Sequence, residues 1–409
     1  AWPKSDWWKS LGDPQLDGLI REALHDSPDM QIADARAHQA SAAAYAADAE
    51  RMPTLDASAG VSRSRLARDQ DPNGQGDAYS TVRNISANFN YNFDLWGGQR
   101  DAWEAALGQA RAAEVDQQAA QLTLAADVAR AYSDLGQAHI VHDLASEDLK
   151  RTRQMLDLSQ RRLSSGIDSQ YQFQQTESLQ ASSEASLIDA EKRLQSAKIA
   201  LAVLLGKGPD RGNEIARPKI LQASAVALPS VLPAELLGRR PDLVAARWRV
   251  EAASKNIDAG KTRFYPNLNL SAAAGAESLL RDAMFGSASR FFNIAPTISV
   301  PIFDGGRLRA DLDARDADYD LAVAQYNKSL VKALGDVSDT INQLRDIGRQ
   351  IGAQQHATDI AQQSYDTVVQ RYGSGIGNYL DVLSIEQQLL QAQRQLASLN
   401  AQQIDLSIQ

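Results

Sequence analysis

The sequence lacks cysteine entirely, and it also lacks any long apolar run. Without cysteine there are no disulfides, no thiolate metal sites and no cysteine nucleophile. A transmembrane helix needs a run of about 18 apolar residues, and none of that length occurs. No signal peptide is present, although a mature chain would have lost one. The net charge of −9 argues against a broad nucleic-acid-binding surface, so no nucleic-acid partner is expected.

Motifs for catalysis and for metal binding are also missing. No Ser-His-Asp spacing, metal triad or paired acid motif stands out, so the sequence predicts neither an enzyme nor a cofactor. His139 and His142 stand three apart on a predicted helix, but no further ligand lies nearby, and packing is favoured over a metal site. The Asp-rich run over 311–320 lacks the central glycine and terminal glutamate of a calcium loop, which indicates a solvated helix face.

Proline is missing from two long tracts of the chain. None lies between residues 73 and 208, and none follows Pro301, which favours long helices. Within these tracts side chains recur at alternating steps of four and three, a heptad spacing typical of coiled helices. In the first tract the spacing runs through Leu124, Val128, Ala131, Leu135, Ala138, His142, Ala145, Leu149, Thr152, Leu156, Ser159 and Leu163. One unbroken helix from Gln99 to Ser164 would be on the order of 100 Å long.

The chain contains an internal duplication. Three blocks recur in the same order in its two halves: Pro28-Asp29 at Pro241-Asp242, Gly97-Gly98 at Gly305-Gly306, and Gly166-Ile167 at Gly375-Ile376. We therefore divide the chain into a first repeat over 1–206, a connector over 207–233 and a second repeat over 234–409. The connector has little periodicity and is rich in proline, which indicates an extended segment. All of 1–409 is expected to form one intertwined protomer.

Each repeat also holds two segments of strict alternation. From Ile85 to Leu95 the odd positions are apolar and the even positions are Asn, Ser or Asp, which predicts a strand with one apolar and one polar face. Similar patterns predict four strands, at about 54–66, 82–95, 267–279 and 291–303. Turn-forming residues over 71–74 separate the first two strands. The strands are about as long as transmembrane strands, roughly 9–11 residues.

Four strands are too few for a closed membrane barrel. An open sheet edge would leave backbone groups unpaired in lipid, and the smallest barrels use about eight strands. Several protomers must therefore contribute strands to one barrel. The Asn and Ser face suits a water-filled interior, and the Phe, Ile and Val face suits lipid. Heptad helices that continue from this barrel would pack into a tube, so the sequence predicts a conduit.

The sequence resembles the TolC-like outer-membrane factors, specifically the lipoprotein branch called the NodT group. The resemblance covers essentially the whole chain and rests on an ordered set of motifs: Trp7-Trp8, Asp13-Pro14, Leu19-Ile20, Tyr265-Pro266, Phe303-Asp304-Gly305-Gly306, Arg371-Tyr372, Gly375 and Asn378-Tyr379-Leu380-Asp381-Val382-Leu383. It implies a mixed, mostly α fold with a membrane β-barrel built jointly by protomers and continuous with a long periplasmic α-helical barrel. It further implies a homotrimer with twelve strands, four from each chain.

The resemblance also implies a function and partners. The chain would be the passive outer-membrane channel of a tripartite efflux or type I secretion system, of the kind linked to antibiotic resistance. A periplasmic adaptor and an inner-membrane transporter would open it, and outer-membrane lipid would surround its strands. Members of this branch usually begin with an acylated cysteine, which is not present in this chain. The alternatives are a periplasmic coiled-coil adaptor or a fibrous structural protein, although neither explains four alternating strands.

Gate residues follow from the resemblance by motif. Tyr372 and Asp381 match gate positions of the second repeat, where Asp381 would form an acidic ring around the axis. The alternative for Asp381 is a surface carboxylate near a helix start, stabilised by the helix dipole. Other positions depart from the family pattern. They are Gly377 in place of a pairing arginine, Ser384 in place of a second acid, and Tyr171 and Gln172 at the first-repeat partner positions.

Adaptor docking is expected at the two helical reversals, around Gly166 and Gly375, with Arg162 and Arg371 preceding them. The resemblance assigns these turns to the tips that meet the adaptor. A simpler explanation is that glycine permits the positive φ of a tight helix reversal. The two explanations are compatible.

The acidic ring makes a testable prediction. Asp381→Ala removes the charge from the expected constriction, so it should raise single-channel conductance or antibiotic leak. Planar-bilayer recording of the purified channel measures the first quantity. Unchanged conductance would remove Asp381 from the gate.

Overall fold

A computed structural model describes residues 6–65, 67, 79–219, 238–279, 282–377 and 379–408. The chain divides into two compact units. Unit 1 comprises residues 1–34, 117–240 and 330–409, and unit 2 comprises residues 35–116 and 241–329. The predicted turn over 71–74 and most of the connector, from residue 220 onwards, lie outside the described residues.

Seven helices and four strands occur in the described part of the chain. The helices are α1 (Pro14–Asp26), α2 (Pro28–Ala49), α3 (Gly98–Ser164), α4 (Gln170–Leu204), α5 (Pro241–Thr262), α6 (Arg307–Gly373) and α7 (Tyr379–Ile408). The strands are β1 (Thr54–Arg65), β2 (Tyr79–Phe93), β3 (Asn267–Leu279) and β4 (Arg290–Ser299). Short 3-10 turns occupy Trp7–Leu11, Pro209–Glu214 and Ser287–Ser289. No described helix is both long and apolar enough to cross a membrane.

The order of the elements repeats along the chain. A helix of 22 residues, two strands, a helix of 67 residues and a returning helix occur twice, from α2 to α4 and from α5 to α7. Both 67-residue helices are unbroken, as the absence of proline predicts. At 1.5 Å per residue each is on the order of 100 Å long. The sequence repeat is thus a repeat of secondary structure.

The strands form one antiparallel sheet in the order β1-β2-β3-β4. Leu55 pairs with Phe89 between the first two strands, and Leu268 pairs with Ile298 between the last two. The fourth strand ends at Ser299 rather than near residue 303. Pro301 explains the earlier end, because proline has no N–H to continue a ladder.

The two faces of the sheet differ as the alternation predicts. On the polar face Ser58 Oγ lies 3.0 Å from Ser86 Oγ, and Asn88 Nδ2 donates to Ser58 Oγ at 3.3 Å. Large apolar side chains of the opposite face are exposed in the protomer. They include Leu55, Val61, Phe292, Ile294 and Ile298. The polar face is therefore cross-linked by hydrogen bonds, while most large side chains of the apolar face are left uncovered by the described residues.

In unit 2 the helices α3 and α5 approach closely. A Cβ added at Gly108 would lie 3.1 Å from the Ala252 Cβ, so glycine permits the contact. Nearby, Ala112 and Val115 pack on Ala245 in a small buried cluster. Small side chains keep the two helices together beside the sheet.

The largest core lies in unit 1, where α1, α3 and α4 meet. It contains Trp8, Leu11, Leu16, Leu19, Ile20, Leu124, Val128, Tyr132, Leu135, Leu201 and Leu205. Several heptad positions of α3 are buried here, including Leu124, Val128 and Leu135. The apolar spacing of the sequence therefore corresponds to the packed face of the helix.

A buried polar network ties this core to the segment after α4. The Tyr132 hydroxyl donates to Asp13 Oδ2 at 2.5 Å, and Gln15 Nε2 donates to the Tyr132 hydroxyl at 2.9 Å. Gln15 also exchanges two hydrogen bonds with the backbone of Ala216, and the Lys219 N–H donates to Asp13. Burial, and then the carboxylate of Asp13, raise the pKa of Tyr132 well above its ordinary value.

This network predicts the effect of removing one hydroxyl. Tyr132→Phe deprives the buried Asp13 carboxylate of its shortest bond, so stability should fall by about 1–3 kcal/mol. Urea unfolding in detergent measures the change. Tyr45→Phe is the control, because Tyr45 is 75% exposed. Equal stability of the Tyr132 variant and the wild type would contradict the assigned bond.

Candidate gate at the helical hairpin tips

Both long helices end in the same turn. At the first, the Ile167 N–H donates to the Arg162 carbonyl at 2.9 Å and the Gly166 N–H to the Leu163 carbonyl at 3.0 Å. Gly166 has a φ of 71°. This is a Schellman motif, in which glycine adopts the left-handed conformation that ends a helix.

The second turn repeats these bonds. The Ile376 N–H donates to the Arg371 carbonyl and the Gly375 N–H to the Tyr372 carbonyl, both at 3.0 Å. Gly375 has a φ of 78°. Both glycines therefore have a structural role at the reversal, and whether the turns also dock an adaptor stays a prediction.

The first-repeat gate candidates lie at the start of α4. Ser169 caps this helix: its hydroxyl accepts from the Gln172 N–H, and the Gln172 side chain accepts from the Ser169 N–H at 2.8 Å. Such a reciprocal capping box stabilises a helix start. Tyr171 is 68% exposed, and its hydroxyl accepts a bond from Gln175 Nε2. Gln172 is thus committed to the cap, while Tyr171 faces outwards within the protomer.

A charged pair in the first hairpin turn contacts a tyrosine of the second hairpin. Arg162 Nε donates to both oxygens of the buried Asp168 carboxylate, at 3.1 Å each. The Arg162 guanidinium also lies over the Tyr372 ring, 4.6 Å from its centroid. The Tyr372 hydroxyl donates to Asp168 Oδ2 at 3.4 Å. Through these contacts the end of α3 is linked to the end of α6.

Tyr372 also packs within a buried cluster. Its ring centroid lies 5.7 Å from that of Tyr379, and both rings pack with Val382. Burial, and then the nearby Asp168 charge, raise the pKa of Tyr372 above its ordinary value. Burial raises the pKa of Tyr379 to about 12, and its hydroxyl has no hydrogen-bond partner among the described residues. Both tyrosines are therefore neutral at physiological pH.

The second hairpin lacks this charged pair. The repeat that carries Gly166 onto Gly375 also carries Asp168 onto Gly377, so Arg371 has no equivalent carboxylate in its own turn. Arg371 is exposed in the protomer. A Cβ at Gly377 would lie 3.1 Å from the Tyr372 backbone nitrogen, which is a tight contact. The arginine expected at this position from the family pattern would therefore require a local shift.

The two remaining gate candidates lie on the exposed side of α7. Asp381 is in the first turn of this helix and is exposed, as is Ser384. Neither belongs to the buried tip cluster of Tyr372, Tyr379 and Val382. A role for Asp381 in an acidic ring stays a prediction, since a ring needs more than one protomer.

A second charged cluster lies between the hairpins, farther from their tips, and the sequence patterns described above do not predict it. Arg151 Nε lies 3.3 Å from Glu386 Oε1, and an Arg151 NH group lies 3.8 Å from Asp148 Oδ1. Asp148 also accepts a bond from the Ser183 hydroxyl at 2.8 Å. The Tyr365 ring lies 5.9 Å below the Arg151 guanidinium. The cluster therefore connects α3, α4, α6 and α7.

Glu386 is fully buried, with 0% of its surface exposed. Its Oε2 has no hydrogen-bond partner among the described residues. Burial, and then the Asp148 charge, raise the pKa of Glu386 from 4.5 to about 7, although Arg151 opposes the shift. The sequence does contain a sign that Glu386 is buried. Val382, Glu386 and Leu389 follow helical spacing, so the glutamate lies on an otherwise apolar face of the helix.

The described residues hold no group of three His, Asp or Glu side chains that would suit a metal ion. His139 is partly buried, and burial is the main cause that lowers its pKa. The arrangement at the tips is thus made of salt links, aromatic packing and helix caps.

Comparison with known proteins decides the family. The family described as outer membrane efflux protein matches residues 19–207 and 232–409. This chain belongs to that family. The fusaric acid resistance protein FusA of Burkholderia cepacia is 37% identical over 78% of this chain, and the match spans 61% of FusA itself. The pyoverdine export outer membrane protein OpmQ of Pseudomonas aeruginosa is 31% identical over 98% of this chain and 85% of its own length.

The fold of the efflux protein agrees with a solved relative. The outer membrane protein VceC from Vibrio cholerae has a TM-score of 0.91, at 33% identity over 100% of this chain and 97% of VceC. The predicted fold class and the predicted family are therefore confirmed. The efflux protein is an outer-membrane channel component of a tripartite efflux system that extends into the periplasm, and it is not an enzyme. The adaptor and structural-protein alternatives are thereby set aside.

The buried glutamate predicts a pH dependence. The pKa of Glu386 is higher in the folded protein than in the unfolded chain. The contribution of Glu386 to folding stability is therefore fully present below pH 4.5, the ordinary pKa of glutamate, and is lost as the pH rises to about 7. The efflux protein should therefore lose up to about 3 kcal/mol of stability across this window. In Glu386→Gln this loss should be absent, which thermal unfolding between pH 5 and 8 measures.

Glu177→Gln supplies the matched control. Glu177 occupies the equivalent position of the first repeat and is exposed, so its variant should keep the wild-type pH profile. An unchanged pH profile in Glu386→Gln would show that Glu386 does not titrate in this window.

Proposed function

We propose that the efflux protein works as a homotrimer whose periplasmic tip is closed in the resting state and opens on contact with an adaptor. The sheet supports the trimer. Among the described residues β1 and β4 are the outer strands of the sheet, and three chains would supply twelve strands to one closed barrel. The polar Ser and Asn face then lines a wet interior.

The proposal of a closed tip rests on the contacts among Arg162, Asp168 and Tyr372, here called the link. It joins the two hairpins of one protomer through a buried carboxylate, a charge-assisted pair and an aromatic contact. Hydrogen bonds to a charged group are worth about 1.5–3 kcal/mol each, so the link favours one hairpin arrangement. This link takes the place of the missing arginine at Gly377, and it holds the closed tip.

Asp381 complements this link at the channel axis. It is exposed on α7 between the buried Tyr379 and Val382, and three copies in a trimer would face each other. A ring of carboxylates attracts cations and repels anions. Tyr171 is also exposed, and in the trimer it would contact a neighbouring hairpin.

Adaptor docking is assigned to the exposed turns of both hairpins. Gly166 and Gly375 have no atoms within 4 Å of an added Cβ, so these turns present open backbone. Arg371, without a carboxylate in its own turn, offers a charge to a partner. Docking there would separate the hairpins at the point where Arg162 joins them. Cargo is then selected by the inner-membrane transporter, because the duct itself is passive.

The link predicts a change in conductance. Asp168→Asn keeps the shape of the side chain but removes its charge, so the closed tip should lose about 1.5–3 kcal/mol and open roughly 10- to 150-fold more often. Planar-bilayer recordings of open probability measure the effect.

Asp157→Asn is the matched control, on the helix that carries Arg162. Asp157 pairs with Arg161 four residues away, and both side chains are mostly exposed. This variant should conduct like the wild type. If Asp168→Asn also conducts like the wild type, the link does not hold the gate.

A further inference from the structure

Charged side chains divide between the two faces of the sheet. The four strands contain four arginines, Arg63, Arg65, Arg83 and Arg290, and two acids, Asp56 and Glu277. The strand register places all four arginines on the apolar face and both acids on the polar face. The described strands contain no lysine. The apolar face therefore carries positive charge only.

The strand register shows on which face of the sheet each arginine lies. Val61 pairs with Arg83, so Arg83 lies on the face of Val61 and Ile85. Ile85 pairs with Ala276, which pairs in turn with Arg290. Arg63 and Arg65 continue the odd positions of β1 beyond Val61. All four side chains thus lie on one face of the sheet. This is the face of Leu55, which pairs with Phe89; Phe89 pairs with Ala272, and Ala272 pairs with Ile294.

The arginines also share one end of the sheet. Each lies in the half of its strand next to a hairpin loop, with Arg65 at the end of β1 and Arg290 at the start of β4. The opposite strand ends lead into the helices. There the Trp96 ring stacks on Tyr265 at 5.0 Å, and both rings are about half exposed. The sheet is therefore bordered by these two aromatic rings at its helix end, and its apolar face carries the arginines at its loop end.

Since the protein extends from the outer membrane into the periplasm, the helix end of the sheet is the periplasmic end and the loop end is the outer rim. Aromatic side chains at one border of an apolar band are typical of a membrane interface. Arginine at the other border reaches the headgroups while its carbon chain stays beside lipid. This arrangement places guanidinium groups at the depth of the outer headgroups.

Two of the arginines are available for a ligand. Arg63 lies over the Tyr79 ring at 5.0 Å, and Arg290 is exposed at the first position of β4. Neither forms an ion pair with a carboxylate of the described residues. Arg83 is different: its guanidinium donates to Ser278 Oγ and to the carbonyls of Leu279 and Asp282, so it holds the rim together.

We propose that this arginine band binds phosphate groups of anionic lipid headgroups in the outer leaflet of the membrane. Guanidinium recognises phosphate through paired N–H donors, which a choline or sugar headgroup alone does not satisfy. Several arginines close to one surface favour a lipid that carries more than one phosphate. The occupant is thus a phosphorylated glycolipid of the lipid A type. The inference is independent of the tip gate.

The test uses the full-length protein purified in mild detergent. Native mass spectrometry measures retention of lipid A with two phosphates, of dephosphorylated lipid A and of phosphatidylcholine. Wild-type protein should retain the phosphorylated glycolipid most strongly, and added salt should weaken this retention. In Arg63→Gln/Arg290→Gln the retention should fall about tenfold, since each arginine near an anionic surface contributes to binding.

Two matched variants make the result specific. Arg193→Gln/Arg349→Gln removes the same charge from exposed positions on α4 and α6, and it should retain lipid A like the wild type. Arg63→Lys/Arg290→Lys keeps the charge and should recover part of the retention.

Three outcomes would overturn the proposal. The first is equal retention of lipid A with and without its phosphates. The second is wild-type retention in the glutamine variant. The third is competition by inorganic phosphate at millimolar concentration, which would indicate a free-anion site rather than a lipid surface.

Discussion

Backbone groups inside a lipid bilayer find no water, so every strand of a membrane sheet needs a neighbour on each side. In this chain β2 and β3 have two neighbours, whereas β1 and β4 are the outer strands of a four-stranded sheet. The protomer is therefore incomplete as a membrane structure. This constraint underlies the proposed trimer, the exposed apolar face and the placement of polar side chains on the other face. It also explains why large apolar residues such as Phe292, 83% exposed, occur in a folded chain.

Each copy of the duplicated unit supplies two strands and one helical hairpin, but the two copies differ at the hairpin tips. Both repeats keep the 67-residue helix and the Schellman turn at Gly166 or Gly375. Only the first keeps a carboxylate after the turn, at Asp168, where the second has Gly377. A buried carboxylate needs charged donors, and Arg162 supplies them. The duplication thus gives two hairpins with the same turn, and the carboxylate found only in the first hairpin takes part in the link between them.

Buried charge is concentrated where the four hairpin helices meet. Arg151 stands between Asp148 and Glu386, and one oxygen of each carboxylate has no hydrogen bond among the described residues. One arginine between two buried acids leaves a net negative charge if both acids ionise, and burial opposes this. Such an arrangement adds little stability, because desolvation offsets the attraction. It does restrict which helix faces can meet, since only one arrangement pairs the charges.

The sequence by itself determined the secondary structure and the family. Missing proline, heptad spacing and strict alternation are local signals, because each reports the periodicity of a single helix or strand. They were sufficient for α3, α6 and the two-faced strands, and the glycine turns followed from the repeat. Proline also explains the earlier end of β4, although the alternation of the sequence predicts a strand to about residue 303.

Only the tertiary structure decided which distant side chains meet. It brought Tyr372 to Arg162 and Asp168, and Glu386 to Arg151, across helices far apart in the chain. It also placed the strand arginines on one face, which depends on register rather than on any single strand. Contacts of this kind depend on how helices and strands pack, and packing depends on all elements at once. For that reason Asp168 and Glu386 did not emerge from the sequence, although Tyr372 and Arg162 did.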